Sequence, residues 1–279
     1  MDNIIKIGII QGRLSSPEGG RIQFFPWNTW REEFSKAQAC GFQLIDWVIN
    51  GACVEENPLM TTEGIAEIKA LEETTGVAVI AVCADYFMDS PLIRCTNKER
   101  DERVEMLYKI AEQMHKAGIS YLELPFVDQS AIKTEDELKA LVELFSSLLD
   151  EMHKRNVTLA FETSLPADAF AGFIKALDHP ATKVNYDMGN SASLGYSPRD
   201  ELKAYGQYVA TVHVKDRVHG GGTVPLGTGD TDFDTCFAML REKGFRGPFI
   251  LQAARGGEEM AWCRSNREFL LQYLRKYYP

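Results

Sequence analysis

Four polar residues stand where apolar, strand-like runs come to an end. Glu162 sits in "LAFET", Asp187 in "VNYD", His213 in "TVHVKD" and Gln252 in "FILQAA". Two carboxylates, an imidazole and a carboxamide form a donor set that suits a divalent ion: Mn2+ or Mg2+ by its oxygens, Zn2+ as a further candidate. A carboxylate in such a place can also move a proton. Each residue alone has a plainer reading. An acid at a strand end caps the next helix or pairs with a lysine, a lone histidine is as often structural, and a lone glutamine carries almost no signal. The case rests on their joint placement at the ends of consecutive strands.

That placement requires elements able to bring the four together. Short apolar runs alternate with longer amphipathic ones along the chain. Strands are expected at 6–11, 44–49, 77–84, 121–127, 157–163, 184–190, 209–216 and 249–254. Most are continuously apolar in the middle, as parallel strands covered on both faces are. Between them lie helical patterns. One is expected to start at an Asn28 cap and stop at Gly41. A second stops at Gly76. A third has Val104, Leu107, Ile110, Ala111 and Met114 on one face. A fourth opens with a capping box of Thr134 and Glu137. Shorter helices are expected after "SLPAD", "SPRDE" and "DTDFD", and the last ends near Tyr277. Eight such units spanning 1–279 as one domain predict a closed (β/α)8 TIM barrel. A doubly wound open sheet is the alternative, weakened because no G-x-G-x-x-G follows the first strand. In a barrel, catalytic side chains gather at the C-terminal ends of the strands, where these four stand.

Composition narrows the function classes. A net charge of −10 argues against nucleic acid or an anionic membrane as the main partner. No stretch approaches the length of a membrane-spanning helix. The N-terminal "MDNIIKIGII" is interrupted by Lys6 and reads as the first strand rather than a signal peptide. The six cysteines form no C-x-x-C pair and read as free thiols. Together these features point to a cytoplasmic protein with a small-molecule partner, and a homo-oligomer is compatible with them.

The stretches "LAFETS", "VNYDMGNSASLG", "VHVKDR" and "PLGTGDTDF" resemble those of the xylose isomerase-like TIM barrel superfamily, the sugar phosphate isomerases and epimerases. The resemblance implies that Glu162, Asp187 and His213 bind a divalent metal, and that Glu162 is the base in isomerisation or epimerisation of a sugar or sugar phosphate through an enediolate. It implies that Arg217 meets substrate. The family often has a substrate-binding histidine where this chain has Asn190, and usually a glutamate, as fourth ligand and second acid/base, where it has Gln252. An amide oxygen still ligates a metal but does not take a proton near neutral pH. Single-base isomerisation therefore fits better than two-base inversion. The alternative is a degraded site that binds a sugar-like ligand without catalysis. Metal-dependent apurinic endonucleases share the superfamily but need several strand-end histidines; only His213, with His219 as a second at most, is available here.

Other residues extend the expected site. Arg13 in "QGRLS" and Arg255 in "QAARGG" could meet a phosphate, with a surface ion pair as the plain reading for Arg13. Trp27 offers a face for a sugar ring, or packs on the rim. Asp85 and Tyr86 follow the third strand, and Glu123 has the alternation of an acid inside the barrel. The glycine-rich 219–230 segment reads as a flexible lid or turn, with Lys215 and Arg217 at its base. His115, His153 and His179 read as surface or helix-end residues, and the methionines as core filler.

Overall fold

The computed structural model describes residues 5–17, 19–51 and 53–279, so the first four residues of the apolar N-terminus lie outside the described residues. The eight apolar runs are all strands: β1 (Ile7–Ile10), β2 (Leu44–Val48), β3 (Ala78–Cys83), β4 (Tyr121–Phe126), β5 (Thr158–Thr163), β6 (Thr182–Asp187), β7 (Val209–Val214) and β8 (Phe249–Leu251). Each pairs in parallel with its sequence neighbours, and β8 returns to β1 through Ile7↔Phe249, Gly8↔Ile250 and Ile9↔Leu251. The sheet closes on itself, which decides for the (β/α)8 barrel over the open sheet. The helix following each strand is, in order, α1 (Trp30–Ala39), α2 (Thr62–Thr75), α3 (Asn97–Ala117), α4 (Glu135–Lys154), α5 (Ala167–Leu177), α6 (Pro198–Tyr205), α7 (Phe233–Glu242) and α8 (Glu259–Tyr277). Among the described residues no helix is long and apolar enough to cross a membrane.

Strand alternation sorts side chains between two cores. Ile9 and Leu251 join the large core between barrel and helices, while Ile10, Leu44, Val48, Cys83 and Ile250 form a separate plug in the lumen. Burying such aliphatic side chains contributes roughly 1.5–3 kcal/mol each. Gly8 makes room for the plug, since a Cβ there would lie 2.4 Å from Ile250 Cδ1 and 2.9 Å from Leu44 Cβ. The plug comes from β1, β2, β3 and β8. β4–β7 instead turn Glu123, Glu162, Asn185, Asp187, Thr211 and His213 inward. Two register shifts help aim them. β3 carries an extra residue opposite the Ile45/Asp46 step of β2, and β7 one opposite the Val184/Asn185 step of β6. Such bulges re-aim the side chains that follow them.

Three local expectations are corrected. The first helix begins after Thr29, not Asn28, because the Pro26 carbonyl already accepts the N–H groups of Thr29 and Trp30 in a turn. Thr134 does cap α4, but Glu137 does not close the box. Its carboxylate accepts instead from Lys133 N at 2.7 Å and Arg94 at 2.8 Å, and the complete box is Thr96 with Glu99 at α3. The strand expected at 184–190 ends at Asp187, and Gly189 and Asn190 lie in a short helix, Met188–Ser193.

Candidate metal and acid–base site

The ends of β5, β6 and β7 bring Glu162, Asp187 and His213 together. One donor atom of each lies within 4.8 Å of the others. His213 Nδ1 is 3.9 Å from Glu162 Oε2 and 4.0 Å from Asp187 Oδ2. Asp187 fulfils its plain reading with one oxygen and turns the other toward His213. Oδ1 caps the Met188–Ser193 helix by accepting from Asn190 N at 2.8 Å, while Oδ2 faces the imidazole.

The other ring nitrogen of His213 faces a second acidic pair. Nε2 lies 3.1 Å from Asp46 Oδ2 and 3.0 Å from Glu123 Oε2, and all three side chains are sealed from solvent. Asn185 fixes which nitrogen carries the proton. Its Nδ2 donates to Glu162 Oε2 at 3.0 Å, and a carboxylate oxygen only accepts, so the amide is oriented with Nδ2 also facing His213 Nδ1 at 3.2 Å. Thr211 Oγ1 donates to the remaining Asn185 oxygen at 2.9 Å. In the neutral ring, the form that can ligate an ion, Nδ1 is therefore the acceptor and Nε2 holds the proton against the acids. Burial lowers the basicity of His213, but Glu123 and Asp46 outweigh it and raise the ring well above the usual histidine range. Burial and the charge of Glu123 push Asp46 up, so it takes the proton of the pair. Burial also acts on Glu123, but the neighbouring imidazole brings it below its ordinary value. A ligating histidine held through its second nitrogen by a carboxylate is oriented and made more basic.

Glu162 is pushed up to about 7, first by burial and then by the charge of Asp187, against the opposing pull of His213, Lys215 and Asn190. A carboxylate near neutrality is tuned to take and return protons. Asn190 Nδ2 donates to Glu162 Oε1 at 2.5 Å, and Arg217 Nη1 donates to Asn190 Oδ1 at 2.8 Å. Glu162, Asp187 and His213 thus fit a divalent ion by donor type, by spacing and by the bare Nδ1. The fourth residue is differently engaged. Gln252 Oε1 accepts from Lys215 Nζ at 2.9 Å, and the same ammonium lies 3.1 Å from Asp187 Oδ2.

The family model for the xylose isomerase-like TIM barrel matches residues 34–273. The chain belongs to that family. It is 26% identical over 232 residues to the L-ribulose-5-phosphate 3-epimerase UlaE of Salmonella paratyphi C, a match covering 80% of this chain and 81% of that one. Among solved structures, the IolI protein with a bound zinc atom superposes with a TM-score of 0.79 at 13% identity, over 98% of this chain and 99% of that one. A xylose isomerase-like TIM barrel protein from Mycobacterium smegmatis, in complex with magnesium, gives 0.72 at 17% identity over 99% of both chains.

Within this family member the remaining expected residues are placed as follows. Arg13 is buried and forms no ion pair among the described residues. Its Nε donates to the Ala253 carbonyl at 3.0 Å and its Nη1 to the Ile22 carbonyl. Arg255 donates to the carbonyls of Ile22 and Ser15, both at 3.0 Å, and Gly12 at 2.6 Å. The two guanidinium groups fasten the loop after β1 to the exit of β8. Trp27 is half-exposed and meets Phe25 edge-on at 4.9 Å. The 219–230 segment is pinned: buried Asp216 accepts from Gly227 N at 2.8 Å, Gly229 N at 2.9 Å and Thr231 N at 3.1 Å. Arg217 also donates to the Gly221 carbonyl at 2.8 Å. Glu123 is inside the barrel, as its alternation predicts.

Asp46, Asn185, Thr211 and Gln23 were not singled out by sequence. For three of them a signal existed. Asn185 and Asp187, and Thr211 and His213, are spaced by two residues, the spacing of one strand face. Asp46 breaks the apolar run "LIDWVI" much as Asp187 breaks "VNYD". Gln23 lies in a loop and carries no such signal.

Proposed function

We propose that the mouth of the barrel abstracts a proton from carbon beside a carbonyl, epimerising or isomerising a ketose or ketose phosphate, with Glu162 as the base. The observation that carries this reading is Glu162 itself: a buried carboxyl pushed up to about 7, with its two oxygens held by Asn185 and Asn190. The name of the Salmonella relative supports the substrate class and favours epimerisation. A divalent cation held by Glu162, Asp187 and His213 would polarise the substrate carbonyl and ease loss of the neighbouring proton. His213 would offer Nδ1, kept bare by Asn185 and basic by Glu123. Glu162 takes the proton, and Asn190 holds that carboxylate with Arg217 behind it. Return of the proton from Glu162 to the same face gives aldose–ketose isomerisation. Inversion needs a second proton-bearing group, and the one beside the Gln252 amide is the Lys215 ammonium.

The test is solvent deuterium incorporation at the substrate carbon, followed by NMR over a panel of ketoses and ketose phosphates with Mn2+, Mg2+ or Zn2+ supplied. Exchange by the wild type on at least one member, lost roughly 10²–10⁴-fold in Glu162→Gln, is the expected result. Exchange undiminished in that variant overturns Glu162 as base. A wild type that binds metal and sugar but exchanges nothing across the panel identifies the site as a binder.

A further inference from the structure

Gln252 and Asn190, the two amides that stand where relatives of this family often carry titratable groups, are wired alike. Each accepts from a cation through its oxygen and donates onward through its nitrogen. Arg217 donates to Asn190 Oδ1 at 2.8 Å, and Asn190 Nδ2 donates to Glu162 Oε1 at 2.5 Å. Lys215 Nζ donates to Gln252 Oε1 at 2.9 Å, and Gln252 Nε2 donates to Gln23 Oε1 at 2.9 Å. Gln23 Nε2 in turn donates to Asp85 Oδ2 at 2.6 Å, and the Cys83 thiol approaches the other Asp85 oxygen at 3.3 Å. The second chain has a direction imposed by its ends: an ammonium only donates and a carboxylate only accepts. Both glutamines must then point one way. A glutamate at 252 would offer no N–H to Gln23 Oε1. Gln23 would have to turn its amide over, setting its oxygen against the Asp85 carboxyl.

Lys215 itself is led to this position. Gly189 lies under its side chain, and a Cβ there would come within 2.7 Å of Lys215 Cγ and 3.0 Å of its main chain. Its ammonium is nearly enclosed and shared between Gln252 Oε1 and Asp187 Oδ2, the latter at 3.1 Å. Gln252 is thus engaged by its protein neighbours through both its oxygen and its nitrogen.

We propose that Gln252 is not a metal ligand but a positioning residue, the middle of a Lys215–Gln252–Gln23–Asp85 relay that sets the Lys215 ammonium against Asp187 on that side of the site. The metal is then held by three protein ligands, and positive charge opposite them comes from the chain. The metal-binding consequence rests on the proposed function above; the relay does not.

The experiment has two arms. In the first, Mn2+ is titrated into the metal-free full chain by calorimetry for the wild type, Asp187→Asn, Gln252→Ala and Lys215→Met. The expected result is a loss of tenfold or more for Asp187→Asn, a change within about threefold for Gln252→Ala, and tighter binding for Lys215→Met, which no longer competes for Asp187 Oδ2. A tenfold loss in Gln252→Ala, matching Asp187→Asn, would make Gln252 a ligand and overturn the proposal. The second arm needs no metal: the melting temperatures of Gln23→Ala, Gln252→Ala and the double variant. Members of one relay are non-additive, so the double variant should melt within about 1 °C of the worse single one. Losses that add in full show two independent residues and overturn the relay. A wild type that binds no Mn2+ removes the metal reading of the site, and the melting cycle then decides the relay by itself.

Discussion

His213 divides two acidic pairs that use the same residue types to opposite ends. On its Nε2 side, Asp46 and Glu123 are sealed in the barrel and have the imidazole as their near partner. On its Nδ1 side, Glu162 and Asp187 are surrounded by donors: Asn185, Asn190 and Lys215. A buried carboxylate without donors is costly, so the sealed pair shares a proton and sets its remaining negative charge against the imidazole Nε2–H. The donor-rich pair keeps its oxygens hydrogen-bonded at the end of the strands. The same residue types are closed off on one side of the ring and hydrogen-bonded by donors on the other.

The strongest way to break this comparison is on the sealed side. Glu123→Gln removes the charged acceptor of the Nε2 proton and should weaken Mn2+ binding about 10–100-fold, read by calorimetry. Asp46→Asn copies the protonated form and should cost only a few-fold. The reverse order would place the charge on Asp46.

A pH series sharpens the comparison further. Glu33 and Glu201, like Glu162, are pushed up to about 7, chiefly by burial. Their ordinary value of 4.5 applies when unfolded. Between those values the folded chain binds more protons than the unfolded one. The stability they give is present in full below the lower value and is lost as pH rises through the upper. The metal-free melting temperature should therefore fall by several degrees between pH 5 and pH 8, at roughly 2–4 °C per kcal/mol for a chain of this order of size. Added Mn2+ should abolish the share of Glu162, which the ion needs ionised, and leave that of Glu33 and Glu201. Glu201→Gln should flatten the metal-free slope; an unchanged slope in that variant would show that Glu201 titrates normally. The smallest effect is expected from Thr211→Val, which removes one buried hydrogen bond to Asn185. Its cost is about 0.5–1.5 kcal/mol in urea unfolding, and a neutral result would mean that Glu162 alone orients Asn185.

The barrel was legible in the sequence because each strand is a short, continuously apolar run. Burial on both faces imposes that pattern locally, whatever the strand's neighbours. The strand-end donors were legible for a related reason: Glu162, Asp187 and His213 break runs that burial would otherwise keep apolar. The limit lay deeper in the barrel, where alternation placed Glu123 inside but gave no partner for it, and Asp46 went unread. Their meeting with His213 joins β2, β4 and β7, and nothing local to "LIDWVI" or "LELP" specifies it. Sequence shows the guanidinium groups of Arg13 and Arg255 but not the loop carbonyls that fold back onto them. At Gln252 sequence shows an amide but not the partner on each side of it. The sequence by itself determined residue types, strand periodicity and the order of the units, all of which act over a few neighbouring residues. Only the tertiary structure decided which donor meets which acceptor, because barrel closure and strand register bring together groups as far apart as Asp46 and His213, or Gln23 and Gln252.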